Sequence, residues 1–137
     1  MKTFNEWIEY FKNKTGYFSI DEFLEQNPDI NIIFKKTQGF VLFEIDKDNN
    51  LHIIFICGRY SYLSKELIKY GLENDISLIY AETSRNIKSL VKSFKYSGAD
   101  YSDLTDSNGY KVSITPLINH KDLITNKQMY SIKFYLK

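Results

Sequence analysis

The chain has 137 residues, with 18 Lys plus Arg against 17 Asp plus Glu, a hydrophobic share of 43% and an aromatic share of 16%. That length predicts one domain with a real core, and the near-zero net charge excludes a global field drawing the protein to nucleic acid or a membrane surface. The single cysteine, Cys57, excludes an intramolecular disulfide and a cysteine-based metal cluster, no stretch reaches the roughly 18 apolar residues of a membrane span, and Glu6 and Glu9 break any signal-peptide pattern, so a reducing, cytoplasmic setting is expected.

Thr3 and Glu6 are spaced as a capping box ahead of Phe4, Trp7, Ile8 and Phe11 on one helical face, which predicts an amphipathic helix. Ser19 and Glu22 repeat the signature before Ile20, Phe23 and Leu24, and Asn27-Pro28 closes this short second helix. Residues 30–34, 40–45 and 51–57 read as strands, the last two joined as a hairpin by Asp46-Lys47-Asp48-Asn49-Asn50. Their near-continuous apolar runs predict cover on both faces of the sheet. A helix over about 62–72 follows, with Leu63, Leu67, Ile68 and Leu72 inward and Gly71 at its fraying end. A strand over 76–81 leads to Thr83 or Ser84 as an N-cap. Ile87, Leu90, Val91 and Phe94 then take helical spacing, and Gly98 stands where a left-handed residue would stop that helix. Tyr110, Val112 and Ile114 alternate with polar residues as a strand, residues 129–136 form a last one, and 102–109 and 116–127 read as loops.

The candidate chemistry is sparse. Glu44 lies on the predicted strand over 40–45, Glu82 just past the strand over 76–81, and His52 is one of only two histidines. His120-x-Asp122, with no second histidine near, lacks the spacing of a metal site, so no metal is expected. Arg85, Lys88, Lys92 and Lys95 form a stripe opposite the apolar face of the predicted later helix, which fits either a solvated face or an interface with phosphate or an acidic partner. The tyrosine surplus suits a protein partner or a homo-oligomer, although an AT-rich coding genome would enrich Tyr as well.

The order from Phe40 to Ala99, a hairpin, a helix, a strand, a second helix and then Ser97-Gly98-Ala99, resembles the core of the GCN5-related N-acetyltransferase (GNAT) superfamily. The resemblance implies a mixed α/β (α+β) fold with a mostly antiparallel central sheet flanked by helices, in the order α-α-β-β-β-α-β-α-β-β. The family usually starts with a strand, whereas this chain starts with a helix. It further implies a splayed turn after strand 51–57 and a helix opening on Gln/Arg-x-x-Gly-x-Gly/Ala, whose amides hold the acetyl-coenzyme A pyrophosphate. Small residues are needed there so that phosphate oxygens can reach the N–H groups. On that alignment Cys57, Gly58, Arg59, Ser61, Tyr62, Ser64 and Asn86 would meet the coenzyme. Only Arg59 keeps the pattern, since Tyr62 and Ser64 stand at the two small positions.

The family's later helix commonly ends Tyr-x-Lys/Arg-x-Gly-Phe, and here it reads Phe94-Lys95-Tyr96-Ser97-Gly98-Ala99. A phenyl ring at 94 has no proton to give a departing thiolate, and Tyr96 lies roughly 200° further round a helix. The resemblance therefore implies a degenerate member of phage type, a virion component or protein-binding factor without a cofactor, in the host cytoplasm or a virion. The alternative is an active N-acetyltransferase using acetyl-coenzyme A on an amine, in which the resemblance implies a general base from a central strand, with Glu82, Glu44 and Tyr96 as its candidate catalytic residues and His52 a further base candidate.

Overall fold

The computed structural model describes residues 2–84, 94–96, 104–106, 109–122 and 126–137. Helix α1 (Phe4–Thr15) begins on the capping box read from the sequence. The Thr3 hydroxyl accepts from the Glu6 amide and the Glu6 carboxylate accepts from the Thr3 amide, and Gly16 closes the other end in the left-handed region. Helix α2 (Ile20–Gln26) starts after Ser19, whose side chain makes no capping bond. The second capping signature is therefore not used: Ser19 is already in the right-handed helical region, so its hydroxyl is not aimed back along the first turn. Lys12 ties the two helices together, reaching Glu9 at 2.7 Å and Asp21 at 2.5 Å.

Strands β1 (Asn31–Lys35), β2 (Gly39–Ile45) and β3 (Leu51–Gly58) form an antiparallel meander, helix α3 (Tyr60–Glu73) crosses over, and β4 (Leu78–Thr83) lies parallel to β3. Two short strands, β5 (Lys95–Tyr96) and β6 (Leu104–Thr105), precede the long pair β7 (Lys111–Lys121) and β8 (Gln128–Tyr135). The eight-stranded sheet runs β1-β2-β3-β4-β8-β7-β6-β5, and every pairing except β3 with β4 is antiparallel. Among the described residues the fold is thus α+β, with three helices on a mostly antiparallel sheet.

Alternation along β2 explains the layers. Phe40 and Leu42 face α1 and α2, packing with Trp7, Ile8, Phe11, Ile20 and Cys57, while Val41 and Phe43 face α3 with Leu63, Leu67 and Ile68. Both faces of β2 are therefore buried, as its unbroken apolar run requires. Each fully covered leucine of α3 contributes about 2 kcal/mol of apolar burial. The α3 face of the sheet continues into a third cluster of Leu104, Val112, Ile114 and Ile132 against Ala81 and Phe94.

Four expectations are corrected. Gly71 does not fray α3. It lies buried inside the helix where a Cβ would stand 2.7 Å from Leu136, so its small size admits the residue after β8. The predicted helix does not reach Gly98, because Lys95 and Tyr96 pair with Thr105 and Leu104 as a strand. Residues 87, 90 and 91, and Gly98 itself, lie outside the described residues. The 102–109 loop contains β6, and residues 116–121 of the 116–127 loop continue β7, with an irregularity between Pro116 and Lys121. Proline is tolerated at 116 because β6 pairs β7 only at Lys111 and Val112, so among the described residues the outer side of β7 at Pro116 needs no amide.

Candidate functional site

The turn of Asp46 to Asn50 fixes the register of the β2–β3 hairpin. Asp46 Oδ1 accepts from the amides of Asp48 and Asn50, both at 2.9 Å, and Asn49 takes a positive φ of 62°. Closing there sets Ile45 opposite Leu51 and Glu44 opposite His52. The β3–β4 register in turn sets His52 beside Tyr80, and the period of two carries Glu82 to the same face. The result is a polar row across three strands. His52 Nδ1 lies 3.0 Å from Glu44 Oε1 and His52 Nε2 lies 2.7 Å from Glu82 Oε2. The ring stacks on Tyr80 at 4.6 Å and 7°, and Tyr80 donates to Asp46 at 2.9 Å.

Electrostatics follow from these contacts. Burial by itself disfavours an imidazolium, but the hydrogen bonds to Glu44 and Glu82 outweigh it and hold the His52 pKa above its usual value. With both ring nitrogens on carboxylates, a protonated His52 is a cross-strand clamp with no lone pair for a base. Burial, then the bond to Asp46, pushes the Tyr80 phenol up to about 12. Burial and Asp122 do the same to Tyr17, also to about 12, where its hydroxyl contacts the Asp122 carboxylate across 105 residues of sequence. Neither phenol is poised to release a proton near neutral pH.

The predicted coenzyme segment has another use in the fold. Gly58, at φ 126°, faces Gly39, at φ 121°, so closely that a Cβ on Gly58 would stand 2.0 Å from the Gln38 carbonyl oxygen. The Arg59 amide donates to that same oxygen at 2.8 Å. Arg59 is the N-cap of α3, without a side-chain capping bond, and the amides of Tyr62 and Leu63 turn back to its carbonyl. Cys57 is buried against α1, its thiol raised by burial and so unreactive. The Ser64 hydroxyl returns to the Ser61 carbonyl at 3.3 Å. Tyr62 is 36% exposed, so its side chain reaches solvent rather than filling the turn.

One feature remains open. The parallel ladder between β3 and β4 has two paired positions, Leu51 with Ile79 and His52 with Tyr80. Past them a bulge in β3, where Leu42 pairs Phe55 and Phe43 pairs Ile53, leaves Ile54 as the extra residue and bends the strand. Beyond the Glu44–His52–Glu82 row no further position pairs β3 with β4.

Glu44, Glu82 and His52 are thus brought together, as candidates picked separately. Tyr96 stands on β5, at the opposite end of the sheet order from β2 and β3. Arg85, Asn86, Lys88 and Lys92 lie outside the described residues, and Lys95 stands on β5 rather than on a helical stripe. His120 ends near β7's turn while Asp122 is buried with Tyr17, and among the described residues no group of three or more His, Cys, Asp and Glu is arranged to hold a metal. Tyr80 and Asp46 were missed. Asp46 was legible as a turn former, but Tyr80 depends on the β3–β4 register, which no local pattern carries. No helix among the described residues is long and apolar enough to cross a membrane. No protein-family model matches this chain, and no curated protein matches its sequence.

Proposed function

We propose that this chain is a GNAT-like scaffold that acts by binding protein rather than by catalysis, a virion component or accessory factor of phage type. The observation that carries the reading is the use made of the β3–α3 turn. Its glycine, Gly58, is taken up by close approach to Gly39, and the amide of Arg59 by the Gln38 carbonyl. A pyrophosphate held at this turn would need that amide unengaged. His52, locked at both nitrogens, and the two high-pKa phenols add no general acid or base.

A second reading, an N-acetyltransferase, draws support from the end of the β3–β4 ladder at His52, past which no pairing joins the two strands and where Glu82 stands beside the imidazole. Isothermal titration with acetyl-coenzyme A separates the two. The expected result is no saturable heat and no thermal shift at millimolar ligand. Saturable micromolar binding would overturn the scaffold reading and turn attention to the amine acceptor.

A further inference from the structure

Away from the polar row, cations gather on one side of α1. Trp7, Tyr10 and Lys14 recur at the i, i+3, i+7 spacing and share that side of the helix. The Trp7 indole is fixed by its Nε1, which donates to the Lys36 carbonyl at 3.0 Å, and Tyr10 meets it edge to face at 5.7 Å and 86°. Lys2 is carried to the same place by its amide, which donates to the Lys36 carbonyl as well, at 3.3 Å. Its Nζ stands 4.9 Å from the centre of the Trp7 ring and 5.2 Å from that of Tyr10, and Lys14 Nζ stands 5.5 Å from the Tyr10 ring. Two ammoniums therefore share one tyrosine, and exposed Lys36 lies in the turn beside them.

The rings hold these charges without neutralising them. A cation over an aromatic face is oriented by the ring quadrupole and keeps donors free for an anion. Lys2, Lys14 and Lys36 are in no ion pair among the described residues, whereas Lys12 on the same helix is bound by Glu9 and Asp21. The Glu6 carboxyl, held low first by its bond from the Thr3 amide, feels Lys2 but is already spent on that cap. Burial raises the Cys57 thiol, and Lys14 and Lys2 are the charges that pull against it, so the field of both reaches the end of β3. We infer that this face docks an acidic segment of a partner protein, whose carboxylates meet Lys2 and Lys14 over Tyr10. Charge complementarity names the occupant, and the rings argue against the other common polyanion. A nucleic-acid base needs an open aromatic face to stack on, and Tyr10 already carries Trp7 and two ammoniums. Cations positioned before the partner arrives lose less side-chain freedom on binding. The inference rests on the protein-binding reading and deepens it by stating the partner's chemistry.

Trp7 is the one tryptophan of the chain, so its emission reports on this face directly. Titration of the full chain with a blocked hexaglutamate peptide, followed by calorimetry and by Trp7 emission, is expected to show saturable binding at about 20 mM salt that is lost at about 0.5 M. Lys2→Gln plus Lys14→Gln is expected to weaken it by about tenfold. Lys47→Gln plus Lys69→Gln, which removes the same charge from exposed positions elsewhere, is expected to leave it unchanged. Tyr10→Leu keeps both lysines but takes away the ring they share, and is expected to weaken binding several-fold. No saturable binding, equal losses from the two lysine pairs, undiminished binding by Tyr10→Leu, or tighter binding of an oligothymidylate of equal charge would overturn the proposal. Coenzyme titration keeps the two ideas apart. A chain that binds neither hexaglutamate nor acetyl-coenzyme A removes this face alone, while coenzyme binding that survives Lys2→Gln plus Lys14→Gln removes the protein-binding reading.

Discussion

His52 is the residue on which the polar row turns. Facing it are Glu44 from β2, Asp46 from the following turn, Tyr80 and Glu82 from β4, and Lys133, which β8 sets opposite Tyr80. Because its folded pKa is raised, the folded protein holds the His52 proton more tightly than the unfolded chain does. The stability this adds is fully present below the unfolded value of about 6.5 and is lost as pH rises through the folded value. His52→Gln should therefore lower Tm by a few degrees at about pH 6 and by clearly less at about pH 8.5, read by scanning calorimetry. A gap that stays constant with pH would mean that packing on Tyr80, not charge, holds the ring. Half of this site was legible, since counting outward from a five-residue turn sets Glu44 opposite His52. Glu82 could not be placed that way, because its approach depends on a parallel register set through α3.

At the level of elements, two strands meet backbone to backbone at one point. Gly39 and Gly58 sit opposite each other where β2 begins and β3 ends, and each would drive a Cβ into the other strand's carbonyl. Gly58→Ala combines that collision with a φ of 126° and should cost about 3 kcal/mol or more, seen as a large fall in urea midpoint. A neutral outcome would mean that the turn can move, and that the Arg59 amide is open to a ligand after all. Elements with strong periodicity, α1, β2, β3 and α3, are readable from their apolar spacing within a few residues. β5 and β6 are two residues each, below any periodicity, and owe their existence to the strands they lie against. The second half of β7 is polar and contains Pro116, so it reads as a loop, and its partner β8 makes it a strand.

Across the whole molecule, β8 holds the C-terminal half together. It lies between β4 and β7, with Ile132 opposite Ala81 on one side and Ile114 on the other, and the Leu136 amide bonds to Ser77 beyond it. Backbone amides of Ile132 and Phe134 should exchange hydrogen only on global unfolding, while those of Leu104 and Thr105 in two-residue β6 should exchange through smaller openings. Equal protection by mass-resolved exchange would show that the short strands belong to the same cooperative unit. The two paired positions between β3 and β4 stand apart from this, flanked by longer ladders on both sides. In mechanical terms they form a compliant seam between two stiffer plates, β1-β2-β3 and β4-β8-β7, laced by the His52 imidazole and by the Tyr80–Asp46 bond. Under load those two plates would part along it, opening like a book along its spine.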